Sequence, residues 1–163
     1  MRPSELNYND EIGEIKIFWN DNYEIQKENY EKYFSTKEKY LETLEPILDK
    51  MLNYGRMAID YFEQYKQGSI SESTFISKMQ ESEGKVTELY FKSGNIPFPP
   101  IEWEDYDQAC QSVFAIVDNM FLYFSEEGLK TWPKRNRDEL MQNAIKHYYE
   151  DLEKVRFEEK KIH

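Results

Sequence analysis

The segment from Glu102 to Gly128 places apolar residues at the spacing of an α-helix with an unusually wide buried face. At about 100° per residue, one half of its helical wheel is apolar, whereas most polar residues, Asp107 and Asp118 among them, fall on the other half. An apolar arc of this width must contact several neighbouring helices. The sequence therefore predicts a central helix that ends at Gly128. The apolar half holds Tyr106, Ala109, Cys110, Val113, Ile116, Val117, Met120, Phe121, Tyr123 and Phe124.

The remainder of the chain contains few residues that break helices. It has six Pro and six Gly among 163 residues, and three of the prolines lie between Ile96 and Ile101. This composition is typical of a helical protein, and this length is typical of one domain. We predict an all-α helical bundle forming a single domain over residues 1–163. Residues 1–8 are a loose lead-in, and residues 93–102 form a proline-rich connector.

Residues 12–65 repeat apolar side chains in a heptad register, the pattern of a coiled-coil-like helix. Because two helices joined by a turn need not share one register, we favour one long helix, bent near Pro46. The alternative is a break near Ser35, where Ser35, Thr36 and Glu38 resemble a capping box. One series is Ile12, Trp19, Gln26, Tyr33, Tyr40, Ile47, Tyr54 and Tyr61. The other is Tyr23, Tyr30, Lys37, Leu44, Met51, Ala58 and Tyr65.

Three shorter helices are predicted after this first segment. Ser69 and Glu72 read as a capping box for the second helix, and Asn136 can cap a last helix that extends to about Phe157. A single first helix would be about 75–80 Å long, so side-by-side stacking of the shorter helices would leave part of it bare. We therefore predict a homodimer formed through residues 12–65.

Charge and targeting signals restrict the partners and the location. The formal net charge of −11 argues against a phosphate-binding surface as the main role, so no nucleic-acid partner is predicted. One cysteine, Cys110, allows no intramolecular disulfide, and residues 1–20 lack the pattern of a secretion signal. The longest apolar run, residues 113–117, is too short to span a bilayer. These features predict a cytoplasmic protein without membrane contact.

Acidic residues follow the heptad register of the first segment and are the main candidates for binding a basic partner. One series is Glu14, Asp21, Glu28, Glu42 and Asp49, and the other is Glu24, Glu31, Glu38 and Glu45. The alternative is a solvated outer face with ion pairs such as Glu28–Lys32. From these series the candidate partner-binding residues are Glu24, Glu28, Glu31, Glu38, Glu42, Glu45 and Asp49.

A short basic cluster, residues 130–137, surrounds Trp132, which is a further candidate partner-binding residue. Basic side chains beside an aromatic ring can grip a phosphate backbone or an RNA base. The cluster is short and lies in an acidic chain, so pairing with the acidic start of another helix is the better interpretation. Similarly, Pro97–Pro100 resembles a polyproline ligand, but Ile96, Ile101 and Trp103 around it favour a structural crossover anchored in the core.

No pattern of catalytic, cofactor-binding or metal-binding residues emerges. His147 and Asp151 could pair on a helix face, but no nucleophile accompanies them. A di-metal site in a helical bundle needs Glu-x-x-His, which neither histidine has. We therefore predict a non-catalytic protein–protein interaction protein, such as an adaptor, inhibitor, immunity-type or regulatory partner. The alternatives are an acidic mimic of nucleic acid that competes for a basic surface and, third, an enzyme of unrecognised type.

Overall fold

A computed structural model describes residues 36–162. Within this range the chain forms five α-helices and no strand, which confirms the all-α prediction. The helices are α1 (Lys37–Lys66), α2 (Glu72–Ser93), α3 (Glu104–Leu122), α4 (Glu126–Thr131) and α5 (Lys134–Ile162), with a 3-10 turn at Ile101–Trp103. The lead-in at 1–8 and the heptad positions from 12 to 35 lie outside the described residues.

Helix α3 is the centre of the bundle, as the sequence predicts. It packs against α1, α2 and α5, and the side chains of Val113, Val117 and Phe121 are completely or almost completely buried. The wheel underestimates the buried arc, because Phe114 at its border is fully buried and Asp107 on its polar half is only 4 % exposed. A helix with neighbours on three sides buries more than half of its circumference.

The central helix ends at Leu122, so the predicted end at Gly128 is wrong. The chain turns through residues 123–125, and the Ser125 hydroxyl accepts a hydrogen bond from the Gly128 amide (3.0 Å), which caps α4. Gly128 is the third residue of α4, and a Cβ there would clash with the Leu122 carbonyl oxygen. A glycine is therefore needed for the close approach of α4 to the end of α3, not for stopping the helix.

Helix α1 has a defined start at Thr36. The Thr36 backbone is extended, and its hydroxyl accepts a hydrogen bond from the Lys39 amide (3.2 Å), the geometry of an N-cap. One helix does not run uninterrupted from residue 12 to residue 65, and the alternative of a break near Ser35 fits this cap. Pro46 lies inside α1, which continues past it to Lys66.

The buried face of α1 keeps the predicted heptad seam only in part. Leu44, Met51 and Ala58 are buried as predicted, whereas the heptad positions Ile47, Tyr54 and Tyr61 are only partly buried. The residue that follows each of these three is buried instead, so the buried face is rotated about the helix axis relative to the predicted seam. The buried residues are Tyr40, Leu44, Leu48, Met51, Gly55, Ala58, Ile59 and Phe62.

Three other boundaries or faces differ from the predictions. Helix α2 is capped by Ser71, whose hydroxyl accepts from the Thr74 amide (3.1 Å), and not by a box starting at Ser69. At the other end of α2, helical spacing predicts Tyr90 and Phe91 on the apolar face, but both are exposed. Helix α5 begins before Asn136 and extends beyond Phe157, because Pro133 precedes its first turn and charged residues continue it.

The proline-rich connector is anchored at two of its three predicted positions. Ile96 and Trp103 are buried, and the Trp103 ring lies 6.1 Å from that of Tyr40. Ile101, the third position, is 62 % exposed. The segment thus serves as a structural crossover between α2 and α3.

The glycines at the middle of α1 and α2 provide a matched test of the packing. A Cβ on Gly55 would lie 2.7 Å from the Tyr148 ring and 3.1 Å from Val117, whereas a Cβ on Gly84 would meet nothing within 4 Å. We expect Gly84→Ala to raise the free energy of unfolding by about 0.5–1 kcal/mol through helix propensity. Gly55→Ala should lower it by about 1 kcal/mol net, because overpacking outweighs the same gain. Urea denaturation measures both, and equal stabilisation by the two variants would contradict this packing.

Candidate functional site

Four of the candidate carboxylates form one exposed face of α1. Glu38, Glu42, Glu45 and Asp49 follow one another at spacings of four, three and four residues, which places them above one another on a helix, and each is exposed. We refer to these four residues as the acidic face. Glu24, Glu28 and Glu31 lie outside the described residues.

The acidic face is not neutralised by ion pairs with any residue between 36 and 162. The residues three and four positions away from each carboxylate are mostly acidic, apolar or proline, with Lys39 as the one basic neighbour at this spacing. Glu38–Glu42, Glu42–Glu45 and Glu45–Asp49 are like-charge pairs, each of which destabilises a helix by about 0.2–0.5 kcal/mol. This part of α1 is therefore solvated, as in the alternative that the sequence offered, but it lacks the ion pairs of that alternative.

One residue of the acidic face also acts on a buried tyrosine. The pKa of Tyr106 is raised chiefly by burial, and Cys110, Glu159 of α5 and Glu45 of the acidic face add to the rise.

The basic cluster forms ion pairs within the protein, as its better interpretation predicts. Lys134 lies 2.9 Å and Arg137 3.6 Å from opposite carboxylate oxygens of Glu72, the first residue of α2. The Arg137 guanidinium, which is almost fully buried, also donates to the Trp132 carbonyl oxygen (2.6 Å). These contacts join the start of α5 to the start of α2.

Trp132 is half-buried and does not project from the surface as a free aromatic side chain. Its ring lies edge-on against Tyr123, with 5.4 Å between ring centroids, and its carbonyl oxygen accepts from Arg137. This contact packs the loop between α4 and α5 against the end of α3. Trp132 therefore makes packing contacts within the protein, whereas the carboxylates of the acidic face are exposed.

Two buried carboxylates accept hydrogen bonds from hydroxyls on other helices. The Tyr40 hydroxyl donates to Asp107 Oδ1 (2.7 Å), and the Ser112 hydroxyl donates to Asp151 Oδ2 (2.5 Å). The pKa of Tyr40 is raised well above its usual range, first by burial and then by the Asp107 charge. The sequence carries no signal for either pair, because the partners lie on different helices.

His147 pairs with Glu150 and not with Asp151, the partner that the helical spacing also allowed. Its Nδ1 lies 3.4 Å from a carboxylate oxygen of Glu150, and both side chains are exposed. Asp151 instead faces Ser112 and lies 3.8 Å from the Lys154 ammonium. An exposed His–Glu pair on one helix is a surface contact of modest strength.

The acidic residue in the middle of α3 is less solvated than expected. Asp118 is half-buried, and its pKa is raised first by burial and then by the nearby Glu83 charge. Partial burial of a carboxylate beside another acid disfavours its charged form. The place of Asp118 on the polar half of the wheel predicts a solvated side chain, so its partial burial differs from that prediction.

Among residues 36–162, no group of three or more His, Cys, Asp or Glu side chains is arranged to hold a metal ion. None of the helices described is both long enough and apolar enough to cross a membrane.

Comparison with known proteins supplies no relative: no family model matches the chain, and neither do curated proteins or solved structures.

Cys110 provides a test of the environment inside α3. It is fully buried, and burial raises the pKa of its thiol to about 12 although a hydrogen bond with Tyr106 opposes the rise. We expect the folded protein to resist a thiol reagent between about pH 7 and pH 9 and to react on unfolding, because only the thiolate is nucleophilic. Rapid modification of the native protein would contradict the burial.

The raised pKa of the Cys110 thiol also determines how the stability of the fold changes with pH. The thiol pKa is higher in the folded state than its usual 9.0. The contribution of Cys110 to stability is therefore complete below about pH 9 and declines as the pH rises towards 12.

Proposed function

We propose that this chain is a non-catalytic protein-interaction protein whose acidic face on α1 binds a basic segment of a protein partner. The observation that carries the proposal is the run of four exposed carboxylates without a basic partner among residues 36–162. Adjacent like charges on one helix cost stability, and a basic partner would relieve that cost.

Electrostatics give such a surface a defined role in binding. Exposed ion pairs each contribute about 0.2–1 kcal/mol, so four of them add a modest amount of affinity. Their larger effect is on association, since a patch of one charge steers an oppositely charged partner and selects against like-charged ones. The net charge of −11 acts in the same direction.

Mimicry of nucleic acid, the second candidate, is less well supported by the charge spacing. Residues 38–49 rise about 16 Å along the helix and carry four carboxylates of the acidic face. Duplex DNA carries about ten phosphate charges over that length. The acidic face therefore carries less than half of the charge density that duplex DNA presents to a protein that binds its phosphate backbone. This difference favours a protein partner.

We also propose that the protein is a cytoplasmic homodimer formed through residues 12–65. The acidic faces of the two copies would have to lie apart in this dimer, because they repel each other. An enzyme of unrecognised type stands third, and no arrangement of the described side chains favours it.

A charge-neutralised variant tests the acidic face. Glu38→Gln, Glu42→Gln, Glu45→Gln and Asp49→Asn together should weaken binding of a lysine-rich helical peptide at least about tenfold, measured by calorimetry near physiological salt. The same variant should unfold at equal or higher denaturant concentration, because three like-charge contacts are removed. Its loss of binding is therefore separable from a loss of folding.

The matched control changes four carboxylates that are exposed and form no ion pair between residues 36 and 162. These substitutions are Asp60→Asn, Glu63→Gln, Glu126→Gln and Glu153→Gln. Affinity purification from the source cell should recover the same partners with this control and the wild type, and fewer with the acidic-face variant. Equal loss in both variants would show that only net charge matters, and no loss in either would contradict the proposal.

A further inference from the structure

A groove between α1 and α2 is lined by three lysines, although the chain as a whole is acidic. Its volume is about 490 Å³, within the range of small-molecule sites. Lys50 contributes from α1, and Lys85 and Lys92 contribute from α2. The remaining lining residues are Asn53, Tyr54, Glu88 and Leu89.

The charges in the groove are only partly compensated. Lys92 lies 3.1 Å from Glu88, whereas Lys50 and Lys85 form no ion pair with the residues between 36 and 162. Three ammonium groups and one carboxylate leave the groove with a charge of +2, against −11 for the chain as a whole. Ammonium groups that line one groove repel one another, and an anion bound between them would reduce that repulsion.

The neutral lining residues add donors and an apolar floor. The Asn53 amide can donate two hydrogen bonds and the Tyr54 hydroxyl one. The Tyr54 ring stands edge-on to Phe121 of α3, with 6.2 Å between centroids, so the core holds it in place. Leu89 is 8 % exposed and closes the floor. Donors therefore predominate over acceptors, which is the complement of an oxyanion.

We propose that this groove binds a soluble small molecule carrying a phosphate ester or diphosphate group. Lysines bind phosphate as point charges, and a rigid aromatic wall suits the organic part of such a ligand. The overall negative charge does not prevent this, because at physiological salt charges more than about 8 Å away are largely screened. The groove is distinct from the acidic face. Although Lys50 follows Asp49 directly in sequence, it lies about 100° around the helix axis from it.

Pyrophosphate is the probe, titrated by calorimetry at about 0.15 M ionic strength. We expect saturable binding that Lys50→Gln, Lys85→Gln and Lys92→Gln together weaken about tenfold or more. The control combines Lys39→Gln, Lys146→Gln and Lys160→Gln, which are exposed and form no ion pair within residues 36–162. It should bind as the wild type does. Binding of the lysine-rich peptide should be unchanged in the groove variant, which distinguishes the two sites.

Three results would overturn the proposal. One is the absence of saturable binding by the wild type, and another is an equal loss in the groove and control variants. The third is binding to vesicles that contain phosphatidic acid, and not to phosphatidylcholine vesicles or free pyrophosphate, which would assign the groove to a lipid headgroup. Circular dichroism of each variant confirms that the helices are intact.

Discussion

The burial of α3 on three sides is the constraint on which the rest of the bundle depends. Its side chains from Tyr106 to Phe121 are apolar around more than half of the helix, and no single neighbour can cover such a surface. Contact with α1, α2 and α5 removes it from water. Fully burying one large apolar side chain is worth about 1.5–3 kcal/mol, so this helix supplies a large share of the folding free energy.

Polar contacts then fix how the surrounding helices are arranged about α3. The Tyr40–Asp107 hydrogen bond ties α1 to the start of α3, and the Ser112–Asp151 bond ties α5 to its middle. Glu72 joins α2 to the basic start of α5. A buried polar group without its partner costs more than the bond contributes, so these contacts select one arrangement. The four carboxylates of the acidic face on α1 take part in none of these contacts and are exposed.

The extent to which the sequence predicts the structure follows from the range of each interaction. The central helix, the buried Cys110 and the fold class depend on local periodicity, and the structure confirms them. Helix ends depend on a few backbone hydrogen bonds: Ser71, and not Ser69, caps α2, and α3 ends at Leu122, before the predicted Gly128. The heptad pattern is wrong at Tyr54 and Tyr61, because tertiary packing buries the residues that follow them, Gly55 and Phe62, instead.

For the candidate sites too, features within one helix can be predicted from the sequence, whereas contacts between helices cannot. The spacing of Glu38, Glu42, Glu45 and Asp49 on one face can be derived from helical geometry alone. The pairing of Asp151 with Ser112 instead of His147, and the convergence of Lys50 with Lys85, cannot, because each joins residues on separate helices. Trp132 was a reasonable candidate from its basic neighbours, but its contact with Tyr123 depends on how α4 and α5 meet.

The most direct test of this account compares two phenylalanines in one measurement. Phe121 on α3 is 1 % exposed, and Phe91 at the end of α2 is 74 % exposed. Chemical denaturation should show that Phe121→Ala lowers the free energy of unfolding by about 3–5 kcal/mol. Phe91→Ala should change it by no more than about 0.5 kcal/mol. A cost below about 1 kcal/mol for Phe121→Ala, or equal costs for the two variants, would contradict the central place of α3 in the core.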